Sequence, residues 1–301
     1  MLDTYHIPVM LEECVAAMAI TQGQNIVDAC YGGGGHARAF LAKLGHSGKL
    51  IAFDQDSDAQ KNAINAENFV LIQQNFRYLQ KFLRLMQISQ VNAVFADLGV
   101  SSYQINTPER GFSFRFDAPL DMRMNTAQSV SAADILQKKT VAELADIFYF
   151  YGEVPQARKF ADFVVVKRQQ KPVVSTFDLK MLIDQFFGNA ANAKLYAQVF
   201  QALRIEVNEE LAALEAFLEQ SAQVLVPGGR LVVLTYHSLE DRIVKRFMKF
   251  SNFSTQPDKD MYGNTNLYFK PINTKPILPQ AKEIKQNSRA RSAKLRIAQR
   301  I

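Results

Sequence analysis

Apolar residues follow two alternating patterns through the first hundred positions. Short apolar runs at 25–30, 49–54, 69–73 and 91–97 have the length of buried strands. Between them, 35–44, 57–66 and 76–86 space their apolar residues at helical intervals. Strands alternating with helices predict an α/β fold with a doubly wound parallel sheet, because a parallel neighbour needs a crossover long enough to hold a helix.

The alternation stops after position 106. Residues 107–125 are rich in Phe, Arg, Asp and Pro and read as a loop. Helical segments follow: Thr140 with Glu143, and Ser175 with Asp178, have capping-box spacing, and 193–204 has helical periodicity. The α/β pattern then returns. Val207, Leu211, Leu214, Leu218 and Leu225 line one helical face, and Pro227-Gly228-Gly229 turns into a strand over 230–236. A helix is expected over 239–249, and weak strand character near 267–269. These boundaries predict a discontinuous α/β domain, 1–106 and 206–301, interrupted by a helical substrate-recognition domain of 107–205.

Composition narrows the class. Hydrophobic residues make up 48% of the 301, enough for a packed core. No apolar run reaches the ~18–20 residues of a membrane span, and no leader pattern is legible, so a cytoplasmic protein is expected. Cys14 and Cys30 sit in apolar contexts and read as reduced core residues. With four widely scattered histidines, no metal-ligand spacing arises, and no metal is assigned.

The net charge of +6 is unevenly placed. Residues 280–301 hold Lys282, Lys285, Arg289, Arg291, Lys294, Arg296 and Arg300 against one acid, Glu283, and so carry the whole excess. A basic tail outside the sheet, free to meet a polyanion, is one expectation. A solvated tail, or one anchored to the core through Leu295 and Ile297, is the other.

The chemistry concentrates at the ends of the strands. Asp28-Ala29-Cys30-Tyr31-Gly32-Gly33-Gly34-Gly35-His36 joins the first strand to the first helix, where glycines let backbone approach a ligand at the helix N-terminus. Asp54 ends the second strand and can accept both ribose hydroxyls of an adenosine. NAD and S-adenosylmethionine both fit that pattern. Asp97 at the end of the fourth strand and Pro227-Gly228-Gly229-Arg230 before a late strand favour the second.

A longer series of motifs is more specific. It comprises His6-Ile7-Pro8-Val9-Met10-Leu11-Glu12-Glu13, the glycine loop, Asp97-Leu98-Gly99-Val100-Ser101-Ser102-Tyr103-Gln104 and Arg110-Gly111-Phe112-Ser113-Phe114. It continues with Asp117-Ala118-Pro119-Leu120-Asp121-Met122-Arg123-Met124, Phe200-Gln201-Ala202-Leu203-Arg204-Ile205 and Val207-Asn208. Pro227-Gly228-Gly229-Arg230, His237-Ser238-Leu239-Glu240-Asp241-Arg242-Ile243-Val244-Lys245 and Arg289-Ala290-Arg291-Ser292-Ala293-Lys294-Leu295-Arg296 complete it. In this order the chain closely resembles the ribosomal RNA small subunit methyltransferase H family, the bacterial 16S rRNA cytidine-N4 methyltransferases. The resemblance implies a class I S-adenosylmethionine methyltransferase with a Rossmann-like sheet and an inserted all-helical domain. It implies cofactor contacts at Gly34, Gly35, His36, Asp54, Phe76, Asp97 and Gln104, and 16S rRNA or the 30S subunit as partner. Cys30 and Ala37 stand where the family usually has Thr and Ser, Gln198 where it has Arg, and Ser288 where it has Pro.

Methyl transfer to cytosine N4 requires the exocyclic amine to be held against the methyl donor and its proton to be accepted. Asp97 is the leading catalytic candidate, with His237, Asp117 and Asn208 beside it. Tyr103, Phe112 and Phe114 are candidates to stack an unstacked base, and Asp121 and Arg123 to meet the amine or phosphates. Phe112 and Phe114 equally suit loop anchors, and Asp121 with Arg123 a structural ion pair. The aspartate-Pro-Pro-aromatic pattern of many amino-methyltransferases is replaced here by Asp97-Leu98-Gly99-Val100. Another RNA or DNA amine as substrate, a non-catalytic ribosome-assembly factor and an NAD dehydrogenase are the alternatives. The last lacks a convincing hydride-transfer site.

Overall fold

The computed structural model describes residues 8–301. His6, expected to be an ordinary surface or turn histidine, lies outside them. Leu11–Met18 (α1) leads into Asn25–Asp28 (β1), Gly35–Leu44 (α2), Lys49–Phe53 (β2), Phe69–Ile72 (β3), Leu79–Leu85 (α3) and Val91–Asp97 (β4). Ser102–Asn106 (α4), Ala132–Lys138 (α5), Val141–Asp146 (α6), Ala157–Gln170 (α7), Thr176–Phe187 (α8) and Ala193–Asn208 (α9) follow. Glu210–Val224 (α10), Leu225–Thr235 (β5), Ser238–Phe250 (α11), Phe269–Pro271 (β6), Ala281–Gln286 (α12) and Lys294–Arg300 (β7) complete the chain. It folds as two compact units, residues up to 99 with 211–301, and residues 100–210.

In the first unit the strands run β3-β2-β1-β4-β5-β7-β6. β1 to β5 are mutually parallel, and β7 is antiparallel to both β5 and β6. This α/β sheet has the strand order of class I methyltransferases, with a helical insertion following β4. Side chains alternate between its two faces. Val27, Ile51, Phe53, Val94, Leu231 and Val233 pack with Leu79, Leu83, Phe217 and Phe247. Ile26, Leu50, Ala52, Phe95, Val232 and Leu234 pack with Cys14, Met18, Phe40 and Leu44. Both faces are covered, which is why the strands read as continuous apolar runs.

Four local expectations change. Val207, expected on one helical face with Leu211, Leu214 and Leu218, belongs to α9, which ends at Asn208 before α10 begins at Glu210. The helix expected over 57–66 is a 3₁₀ turn, Ser57–Asn62, whose entry is capped by Asp56 accepting from the Asp58 N–H; the chain leaves it extended at Ala63. The helix expected over 76–86 opens with a 3₁₀ turn, Phe76–Tyr78, before α3. β5 starts at Leu225 rather than Arg230. Val91 pairs with Leu225 and Ala93 with Arg230, so Pro227-Gly228-Gly229 forms an excursion within the strand, with Gly228 at φ +82°.

The basic segment 280–301 departs most from the picture of a tail outside the sheet. Lys294–Arg300 is β7, inserted between β5 and β6, with Leu295, Ile297 and Ala298 buried. Arg296 is only 6% exposed and donates from Nε to Asp241 Oδ1 at 2.6 Å. Lys294 Nζ lies 3.3 Å from the same carboxylate, and Arg300 Nε donates to the Ala222 carbonyl. Glu283 accepts from the Met10 N–H at 2.6 Å, satisfying a backbone donor at the start of α1. Much of the basic charge therefore serves the sheet; Lys282, Lys285 and Arg291 are exposed.

The second unit, 100–210, is helical around its own core, including Leu136, Phe148, Phe160, Leu179, Ile183, Val199, Phe200 and Leu203. Capping boxes at Thr140/Glu143 and Ser175/Asp178 open α6 and α8. A third, Ser131/Asp134, opens α5.

Candidate active site

The glycine loop leaves β1 against the carboxyl ends of its two neighbours: the Ala29 N–H donates to the Phe95 carbonyl of β4 and the Tyr31 N–H to the Phe53 carbonyl of β2. Gly34 has φ +74°, and a Cβ there would strike the Tyr31 hydroxyl; one on Gly35 would strike the Pro8 ring. Gly32, also at positive φ, faces open space. The loop is clipped to β2: the Gly32 N–H donates to Asp54 Oδ2 at 2.8 Å, while Asp54 Oδ1 accepts from the Asp56 N–H at 2.9 Å. Asp54 thereby fixes the loop and remains partly exposed.

Asp28 ends β1 fully buried. Oδ1 accepts from the Cys30 N–H at 3.1 Å, and Oδ2 has no hydrogen-bond partner among the described residues. Burial pushes its carboxyl up to about 7, against the pull of the Cys30 N–H and with added repulsion from Asp97 and Asp54. Cys14 is buried in the core and Cys30 half-buried; both thiols are free and raised by burial.

Asp97 stands at the end of β4. Its Oδ1 accepts from the Tyr236 hydroxyl at 2.6 Å, and its Oδ2 lies 3.7 Å from His36 Nδ1. His36 Nε2 faces the Val9 carbonyl at 3.1 Å, and its ring packs on Phe95 at 4.7 Å. Burial raises the Asp97 carboxyl to about 7; Tyr236 pulls it down and Glu240 pushes it up. Tyr236 was not singled out from sequence. Its signal lay in position: it follows β5, whose Leu234 pairs with Asp97.

The other expected residues of this unit sit as follows. Phe76 packs edge-on against Phe217, ring centroids 5.2 Å apart. His237 Nε2 lies 3.1 Å from Glu240 Oε1 but out of hydrogen-bond alignment, and both ring nitrogens lack a hydrogen bond among the described residues. Glu240 Oε2 accepts from the Tyr236 N–H at 2.9 Å, tying α11 to the end of β5.

Within 100–210, several expected residues support the backbone. Gln104 is 5% exposed and forms a capping box with Ser101. Asn208 Oδ1 accepts from the Met124 N–H, and its Nδ2 donates to the Met122 and Arg204 carbonyls, so it ties 122–124 to α9. Asp121 and Arg123 form a two-pronged ion pair at 2.8 and 2.7 Å. Although burial raises the Asp121 carboxyl, Arg123 holds it below its usual range. Phe114 packs against Tyr196 and Phe200, and Phe112 lies under the Arg110 guanidinium. Asp117 is exposed, and Tyr103 is 42% exposed. Gln198 donates to the Glu153 carbonyl. Arg110, passed over in the sequence except as part of a motif, is 7% exposed and donates to the Arg123 and Met124 carbonyls. It organises the stretch read simply as a loop.

A model of the MraW methylase family matches residues 3–301. The chain belongs to the MraW methylase family. Among its relatives, ribosomal RNA small subunit methyltransferase H of Bacteroides fragilis is 48% identical over 297 residues, covering 99% of this chain and 98% of the relative. The protein of the same description from Cytophaga hutchinsonii is 51% identical, covering 98% and 99%. Among solved structures, an rRNA methylase from Streptococcus thermophilus aligns over 97% of this chain and 93% of its own at 12% identity, TM-score 0.41. A Streptococcus mutans protein solved in complex with SAH aligns over 98% and 100%, at 13% identity and TM-score 0.43. No helix among the described residues is long and apolar enough to cross a membrane.

Proposed function

We propose that this protein transfers a methyl group from S-adenosylmethionine to N4 of a cytidine in the decoding region of 16S ribosomal RNA. The observation that carries the cofactor reading is the meeting of Asp28, Asp54 and Asp97 beside the glycine loop. Burial is the main reason the Asp28 carboxyl is raised, and the charges of Asp97 and Asp54 add to it; a cationic ligand relieves that added repulsion. S-adenosylmethionine brings a sulfonium and an ammonium against one carboxylate, a net cation, whereas NAD would bring a pyrophosphate, a net anion, toward these carboxylates. The substrate reading rests on near full-length kinship with small-subunit rRNA methyltransferases.

Gly34, Gly35 and His36 are proposed to hold the cofactor's amino-acid end, Asp54 its ribose hydroxyls, and Phe76 its adenine, with Asp97 and Gln104 completing the contacts. When bound, the cofactor supplies an electrophilic methyl. Asp97 as carboxylate accepts a hydrogen bond from the target amine and draws electron density toward the nitrogen. Its carboxyl titrates near neutrality, suiting it to take the departing proton. His237 is the second candidate beside it, and Asp117 an exposed candidate for substrate contact; Asn208 is best placed as a positioning residue.

The test is turnover on defined substrates. Purified protein with labelled S-adenosylmethionine is given 16S rRNA, assembled 30S subunits and DNA, and nucleosides are read by mass spectrometry. N4-methylcytidine in either rRNA substrate is the expected outcome. Label on another base, on DNA or nowhere would sink the proposal.

A further inference from the structure

Between Glu67 and Asp97 the chain holds no acid, yet it carries Arg77, Lys81 and Arg84. These three residues line an open groove of about 530 Å³ with Tyr78, Gln80, Leu85 and Gln220. The groove begins at the 3₁₀ turn beside Phe76 and runs along α3. Its side is built: the Gln220 amide donates to the Arg77 carbonyl at 2.6 Å and accepts from the Gln80 N–H at 2.8 Å, joining α3 to α10. Gln80 in turn donates to Gln223.

Lys81 and Arg84 are exposed, three residues apart and so on one helical face. Tyr78 is 45% exposed at the mouth and offers an aromatic face. Among the described residues no carboxylate lines the groove, which is unusual for a surface helix, where charges of both signs ordinarily mix. Meanwhile Lys294, Arg296 and Arg300, which counted toward a polyanion-binding tail, are committed to the sheet and its neighbours.

We infer that the α3 groove docks a stretch of phosphate backbone of the RNA substrate, away from the target nucleotide. Charge complementarity selects the occupant: the exposed pair Lys81 and Arg84, with no carboxylate among the described lining residues, fits a polyanion, and an aromatic beside it accepts an unpaired base. The inference rests on the RNA reading above and extends it to a second contact surface.

The test compares the full-length protein with the double variant Lys81→Glu/Arg84→Glu, and with Lys81→Gln/Arg84→Gln, on a 16S rRNA fragment across a salt series. Both substitutions are exposed, so the melting temperature should hold, and S-adenosylmethionine affinity should hold with it. The expected result is RNA affinity lowered at least tenfold by the Glu pair and a log–log salt slope flattened by roughly 1.5 in the Gln pair, about 0.7–0.9 per lost contact. Unchanged RNA affinity and slope in both variants would overturn the groove. So would normal binding to naked RNA with binding lost only to the assembled subunit, because the occupant would then be a ribosomal protein. Wild-type protein that neither binds nor methylates the RNA would instead overturn the functional reading itself.

Discussion

The Tyr236 hydroxyl donates to Asp97 Oδ1 at 2.6 Å, across the seam between β4 and the end of β5. It is the contact that favours ionisation of a carboxyl otherwise raised by burial and by Glu240. His36, Asp28, Cys30 and Cys14 stand around the same group, the cysteines as neutral thiols. If Asp97 must be ionised to accept the amine, turnover should rise with pH through about 7. Tyr236→Phe removes the stabilising hydrogen bond, so the rise should move to higher pH. Turnover at pH 7 should fall about tenfold, the scale of one hydrogen bond to a charged group, and recover substantially at pH 9. A pH–rate profile decides; a loss equal at every pH would make Tyr236 merely structural.

Asp28 has a stability signature. Its folded-state carboxyl titrates at about 7 against an ordinary 3.8. Between those values the folded chain holds a proton that the unfolded chain has released. This contribution is full below pH ~4 and lost as pH rises through 7. Asp28→Asn should flatten the decline in unfolding free energy across that window, as read by urea denaturation at several pH values. An unaltered pH dependence would refute the buried protonated carboxyl.

Asp54 grips the Gly32 N–H while remaining partly exposed. Asp54→Ala should weaken S-adenosylmethionine binding by more than tenfold, corresponding to about 1.5–3 kcal/mol for charge-assisted hydrogen bonds. Calorimetric titration checks it. Undiminished affinity would remove Asp54 from the cofactor site.

Asp241 faces Arg296 and Lys294 from α11. Asp241→Ala strands a buried guanidinium and should cost about 3–5 kcal/mol of stability. Arg296→Met with Asp241→Leu should recover most of it. Thermal denaturation of the single and double variants separates this from a surface ion pair, for which both losses would stay below about 1 kcal/mol.

The parallel half of the sheet was legible because strands covered on both faces are apolar through their buried stretch, as 93–96 shows within β4. The glycine loop was legible because positive φ at Gly32 and Gly34 leaves few other residue choices. β7 was not read as a strand: its polar positions are Lys294, Arg296, Gln299 and Arg300, and charge outweighed the alternation of Leu295 and Ile297. Only the fold reveals Asp241 on α11 as the partner that permits burial of Arg296. Likewise, Asn208 and Arg110 looked like substrate or motif residues because their partners are main-chain groups of 122–124, which a sequence cannot place.

The pairing of Asp97 with Leu234 brackets the entire helical insertion. In time as well as space, that makes assembly of the catalytic edge a non-local event. Loop closure carries its entropic cost before the contact is rewarded, and chains rich in such contacts fold slowly. The helical unit has a core of its own with which to order early, whereas Asp97 meets Tyr236 only once β5 docks. During folding, acquisition of cofactor affinity should therefore trail the appearance of helix, and a chain caught between the two would be helical yet unable to engage the methyl donor.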